Sequence, residues 1–310
     1  MRSSTAALLC TMVITACAGA NPAGENGDGR TEMREPPRPR PLSGASEPDG
    51  DPDSARLADE DNPDSRCAMD SPLPSDVPPD ADAQVLHSMG QQRILSRNGP
   101  EALTILLTAT KKAPKDAAIL GDLATAMLQC RLNNKAIEKL EEAVRLDPSN
   151  MDLRANRAQA LQIAGRIPDA VKAYREAIEM AQKDPSLRNN LAVLLIVTGN
   201  LADAEKQARA ALEINPRNAN YLINLGYILA RMKRLPDAEL ILNRAVDIAP
   251  DNADAHNQLG LVLAAQKRNA LAADHFQKAL EIDPDHHAAK ENMRAMDQGF
   301  DFMGPWGDHR

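Results

Sequence analysis

The residues best suited to chemistry in this chain are its four cysteines and six histidines. His286-His287 stand beside Asp283 and Asp285, and such a set could ligate a metal. The intervening Pro284 makes an exposed turn opening a helix the better reading. His256 and His275 have no Cys partner and no paired ligand spacing. Acidic pairs such as Glu141-Glu142 are adjacent on a helix, fall on different facets and read as solvated surface. The sequence holds no nucleophile elbow, no phosphate loop and no zinc-protease helix. No catalytic group, metal or cofactor is therefore expected.

The cysteines divide by position. Arg2 and the apolar run Ala6 to Ala16 have the layout of an export signal, and the run is too short to span a bilayer. It ends in Ile14-Thr15-Ala16-Cys17, which resembles the bacterial lipobox. That resemblance implies removal of residues 1–16 and attachment of diacylglycerol to Cys17, which becomes the mature N-terminus. The alternative is cleavage by the ordinary signal peptidase after Ala18-Gly19-Ala20. No later stretch is apolar for long enough to cross a membrane, so the expected attachment is through the lipid. Ala18 beside Cys17 resembles the sorting pattern for the outer membrane, with the chain facing the periplasm. Cys67 and Cys130 lie in such different settings that two isolated thiols are expected, although an exported chain permits a disulfide. No Cys-x-x-Cys occurs.

Composition separates a tether from a core. Residues 18–80 hold 12 of the 22 prolines, 15 acidic and 6 basic residues. With few apolar residues they cannot offset the entropy of ordering, so residues 17–80 are expected to be a disordered acidic tether. Residues 81–310 balance to zero charge, which is ill suited to phosphate backbones, so no nucleic-acid partner is expected. Aromatics make up only 2% of the chain, so helices that approach closely on small residues are the natural core.

The elements that must position any site repeat every 34 residues. Pro114, Pro148, Pro216, Pro250 and Pro284 share a register that Gln182 interrupts. The frame gives repeats 83–116, 117–150, 151–184, 185–218, 219–252 and 253–286. Ala102, Ala136, Ala170, Ala204, Ala238 and Ala272 share one column, and Ala109, Ala143, Ala177, Ala211, Ala245 and Ala279 another. Gly90, Ala124, Ala158, Ala192, Gly226 and Gly260 form a third. Small residues there let two antiparallel helices meet, while Leu106, Leu140, Tyr174, Leu242 and Phe276 fill the gap opposite. Ala208 leaves that place thin in the fourth repeat. Gly165 and Gly199 are placed to end first helices. The first repeat departs from the pattern at Gly99-Pro100. Residues 287–298 begin a seventh unit with Arg294 in the small column, so a capping helix is expected there. Residues 299–310 form a tail that carries Phe300, Phe302 and Trp306.

This frame resembles the tetratricopeptide repeat family over about two-thirds of the chain. The resemblance implies an all-α, right-handed superhelix of six helix-turn-helix repeats whose first helices line a concave face. Asn156, Asn190 and Asn224 then share repeat position 6, with Asp122, Gln258 and Asn292 in the same column. The column resembles the asparagine ladder of peptide-binding arrays, where amides pair with an extended peptide backbone. The same column of amides can instead bond its own neighbours. Val193, Ile196, Val197, Ile223, Tyr227, Ala230, Leu261 and Ala264 take lining positions and are expected to form an apolar strip beside the ladder. The lysines of the family's carboxylate clamp are missing.

The function these features imply is a non-enzymatic scaffold holding a protein or peptide in its concave groove. Lipoproteins with six such repeats resemble the pilotins that help pilus secretins assemble, although the long acidic tether departs from them. An adaptor presenting envelope enzymes such as peptidoglycan hydrolases is a second expectation. A subunit of an envelope enzyme is a third, disfavoured by the missing site chemistry.

Overall fold

A computed structural model of the chain describes residues 67–297. The signal, Cys17, the tether up to residue 66 and the aromatic tail lie outside the described residues. Thirteen helices and no strands occur among the described residues. They pair as α1 (Ala83–Leu95) with α2 (Gly99–Lys112), α3 (Ala117–Gln129) with α4 (Asn133–Leu146), and α5 (Met151–Ile163) with α6 (Ile167–Met180). The series continues with α7 (Pro185–Val197) and α8 (Leu201–Ile214), α9 (Ala219–Arg231) and α10 (Leu235–Ile248), and α11 (Ala253–Ala265) and α12 (Asn269–Ile282). The last helix, α13 (His287–Asp297), packs on α12 and α11. Each pair sits in the 34-residue frame.

The local signals are chemical. Asp82, Asp116, Asn150, Asp184, Asn218 and Asn252 cap the first helices by accepting backbone N–H groups. The turn inside every repeat needs one left-handed residue. Gly165 and Gly199 supply it at φ +73° and +76°, whereas Arg97, Arg131, Lys233 and Lys267 adopt it with side chains.

The small columns work as the spacing implies. All twelve alanines of the two alanine columns are buried. A Cβ at Gly226 would lie 2.5 Å from Leu242 Cγ, and one at Gly260 would lie 2.7 Å from Phe276 Cε1. At these glycines the large residue of the second helix therefore sits on the backbone of its own first helix. One continuous core runs from Ile94 to Phe276. Between repeats, Arg234 meets Glu205 at 2.9 Å and Arg268 meets Glu239 at 2.6 Å. Exposed pairs of this kind add about 0–1 kcal/mol each.

Two expectations are corrected. Cys67 and Cys130 are not isolated thiols but form a disulfide across 63 residues of sequence. Closing so long a loop stabilises the fold by roughly 4 kcal/mol in the chain-entropy account. The tether does not reach residue 80, because residues 67–82 form a strap on the first repeat. Met69 accepts from Lys135, Asp76 pairs with Arg93, and the Ala81 carbonyl accepts from Lys112. Val77 and Ala81 are buried with Leu86, Ile105 and Ile119. The strap thus runs from the turn of the second repeat back to the start of α1. Gly99-Pro100, which breaks the repeat pattern, is explained by the same bond. A Cβ at Gly99 would lie 3.4 Å from Cys130 Sγ and 3.0 Å from Gln129 Cβ, so the close approach of the bridge favours glycine.

Ala170 is completely buried between α5 and α6. Ala170→Leu is expected to cost roughly 1–3 kcal/mol through overpacking, read as a lower melting temperature by circular dichroism. An unchanged melt would mean that this column does not set the helix spacing.

Candidate functional site

The first helices α1, α3, α5, α7, α9 and α11 stand side by side and carry the expected site. Their polar column is partly used between repeats. Asn224, which is buried, donates from Nδ2 to Asn189 Oδ1 at 2.8 Å. Asn292 does the same to Asn257 at 2.8 Å. Asp122 accepts from His87 Nε2 and from Gln91 Nε2, each at 2.7 Å. In the Asn224, Asn292 and His87 rungs, position 5 of one repeat meets position 6 of the next. Gly121 occupies the facing place before Asn156, Ala155 before Asn190, and Ile223 before Gln258. None of these three side chains can complete a rung, and Gln258 Oε1 is buried without a hydrogen-bond partner. Asn156 and Asn190 are half-buried on this face. The expectation that Asn224 reads a bound backbone is corrected to this extent: its amide already joins two repeats.

The apolar strip is also redrawn. Val193 and Leu261 were expected to meet water but are 6% and 5% exposed. Ile223, Ala230 and Ala264 are buried as well. The physical reason is that α9 packs on both α7 and α11, so side chains that face these seams become core. Ile196 and Tyr227 stay half-buried. The exposed apolar residues lie at the ends of the helices instead, with Val197 54% and Ile163 39% exposed at the same repeat position. Tyr227 accepts from Arg231 at 3.3 Å, and the guanidinium stands 5.9 Å from the ring centroid.

By contrast, α5 and α7 barely touch. On these two helices, Asn156 and Ile163 of α5 and Asn190, Ile196 and Val197 of α7 are half-buried or exposed. Ile163 escaped the sequence reading as a site residue, although it shares the repeat position of Val197.

The histidines serve structure. His256 Nε2 lies 3.1 Å from the Pro250 carbonyl, which can only accept. That assigns the proton to Nε2 and leaves Nδ1 to accept from His275 Nδ1 at 3.0 Å. Burial and His256 push the His275 pKa down. His286 donates from Nε2 to Asp254 at 3.0 Å, and its Nδ1 takes the N–H of Ala289 at the start of α13. The carboxylates Asp122 and Asp254 raise the pKa values of His87 and His286 respectively. No group of three metal-ligating side chains forms among the described residues, and no described helix is long and apolar enough to cross a membrane.

Comparison with known proteins agrees with this geometry. Tetratricopeptide repeat models match residues 131–186 and 189–253, and a second such model matches residues 253–286. The chain is a tetratricopeptide repeat protein. Its array superposes on pilF of Pseudomonas aeruginosa with a TM-score of 0.59 at 18% identity, covering 68% of this chain and 96% of that one. It superposes on a chain of the APC/C hetero-tetramer Cut9-Hcn1 with a TM-score of 0.59 at 20% identity. That match covers 69% of this chain but only 42% of the other, so the chain spans less than half of that protein's length. MamA from Desulfovibrio magneticus RS-1 gives 0.51 at 19% identity, covering 55% of this chain and 97% of MamA. At these identities the likeness is one of fold. No curated protein matches. Tetratricopeptide arrays are generally non-catalytic, and the repeats indicate a scaffold for protein interaction.

The histidines give the array a pH dependence. His275 has a folded pKa below the ordinary 6.5, so its neutral form is the folded one. Its contribution is complete above 6.5 and is lost as pH falls from there through the folded value. His87 and His286 act oppositely, contributing below 6.5 and losing their contribution as pH rises through their raised values. Replacing His275 with Gln should therefore reduce the fall in melting temperature between pH 7 and pH 5. An equal fall in both proteins would show that the His256–His275 pair is not the acid-sensitive element.

Proposed function

We propose that this protein is a non-catalytic scaffold of the bacterial cell envelope that holds an extended, partly apolar segment of a partner protein across the opening between α5 and α7. The observation that carries the reading is the pairing there of half-buried amides, Asn156 and Asn190, with the exposed apolar side chains Ile163 and Val197. A primary amide offers both donor and acceptor to a peptide group. Apolar side chains of the same segment would cover Ile163, Ile196 and Val197. Tyr227 and Arg231, farther along the face, can stack on or hydrogen-bond the continuation of that segment.

The cellular setting is part of the proposal. Ile14 to Cys17 favours lipid attachment, with outer-membrane placement facing the periplasm. The Cys67–Cys130 bridge suits an oxidising compartment. Within the envelope we assign the protein the role of an assembly factor, pilotin-like in its lipid anchor and six repeats. The fold likeness to pilF is compatible with that role.

Two measurements test these readings. Cys17→Ala should move the protein from membrane to soluble fractions after a high-salt wash, and persistence with membranes would refer attachment to another feature. For the groove, a partner captured from envelope extracts should bind the Asn156→Ala/Asn190→Ala variant roughly five- to a hundredfold more weakly, at about 0.5–1.5 kcal/mol per lost bond. Tyr227→Ala should weaken it too, and Lys278→Ala on α12 should not. Asn224→Ala should act on stability instead, because it removes a buried hydrogen bond between two repeats. Equal affinity for wild type and the double-Asn variant would remove the opening as the site.

A further inference from the structure

The strap and its disulfide together have the parts of a device that opens. We propose that Cys67–Cys130 is a thiol-exchangeable latch, and that a dithiol reductant opens it to release residues 67–82 from the first repeat.

Access comes first. A cleft of about 560 Å³ opens beside the bridge, with Cys67 in its wall together with Arg97, Asn98, Glu101 and Gln129. Cys130 is not part of that wall and is 2% exposed. Cys67 is itself only 7% exposed, but of the two bridge residues it alone borders the cleft, so a thiolate entering there approaches the bridge from the Cys67 side, past the Arg97 cation. The Sγ of Cys130 packs against Gly99, the first residue of α2. The partial positive charge of that helix N-terminus stabilises a leaving thiolate there.

The exchange balances as follows. The thiolate of the dithiol attacks Cys67 Sγ, the Cys67–Cys130 bond breaks, and Cys130 departs with the electron pair and takes up a proton. The second thiol of the reagent, as thiolate, attacks the mixed disulfide and closes the reagent into its own disulfide. Cys67 leaves as thiolate and is protonated. The dithiol loses two electrons and the protein gains them.

What remains after opening is weak. The backbone hydrogen bonds within the strap are isolated turn bonds, Ser71 to Ala68, Val77 to Pro74 and Ala81 to Pro78. Its apolar contacts are few, with Leu73, Val77 and Ala81 on the Leu86–Ile105–Ile119 cluster. Asp76 pairs with Arg93 at the surface, where Asp76 is exposed, and Lys112 and Lys135 add one contact each, to the Ala81 carbonyl and to Met69 Sδ. Sixteen residues without a helix or strand need more than this to stay ordered. The rest of the array has no covalent dependence on the bridge, so its helices persist. Opening exposes an apolar patch at the first repeat and frees residues 67–82 ahead of α1.

The test uses the full chain, oxidised, with dithiothreitol as the reductant and endoproteinase Asp-N as the probe. Asp70, Asp76, Asp80 and Asp82 offer cleavage points in the strap. Reduction under native conditions should speed cleavage there at least tenfold, with two new alkylatable thiols mapped to Cys67 and Cys130 and the helical circular dichroism unchanged. Cys67→Ser should show the fast cleavage without reductant. Three results overturn the proposal: a bridge that resists dithiothreitol in the folded protein, a strap that stays protected once both thiols are free, or loss of the helical signal on reduction.

Discussion

The repeats of this molecule depend on one kind of contact, the seating of a large second-helix side chain against a small residue of the first helix, which Ala208 leaves thin in the fourth repeat. Leu242 on Gly226 and Phe276 on Gly260 show how little room there is. Because the contact recurs every 34 residues, the helix pairs are near copies and stack in series. Core and repeat are the same constraint seen at two scales. An aromatic-poor chain suits it, since alanine and glycine supply closeness where bulky residues would supply volume.

The stacking then decides which surface is left for recognition. Where α7, α9 and α11 close together, Val193, Ile223 and Leu261 become interior and the Asn189–Asn224 amides are joined across the seam. Where α5 and α7 stand apart, the facing residue is Ala155, too short to bridge the gap, and amides and helix-end aliphatics remain on the surface. The polar column thus joins repeats in some places, and the residue at position 5 decides where: Asn189 and Asn257 accept a bond from the next repeat, and Ala155 has no side chain that could.

The periodic part of this arrangement was legible in the sequence because it rests on local columns: alanines, glycines, Pro register and caps fixed the repeat limits without any long-range information. The Cys67–Cys130 pairing was not legible. Cys67 sits in a proline-rich acidic stretch whose composition gives no sign of a fold, and only a chain folded over α1 brings it to Cys130. Gly99 carried a signal of that approach, but as one irregular residue it read as decay of the repeat. The burial of Val193 and Leu261 was hidden for a related reason. Repeat position tells which way a side chain points along its own helix, not how far the next repeat stands from it.

The bridge also determines how the array meets mechanical load. A pull on the chain ahead of Cys67 does not arrive at Asp82, where it would peel α1 from its N-terminal end one turn at a time. It crosses the sulfur atoms into Cys130, at the end of α3, and enters the second repeat directly. The first repeat and its strap lie inside the covalent loop and are bypassed. Force is shared between the inner repeats, where helices would have to slide past one another together, so the array is reinforced at the end that a tethered protein would have tugged.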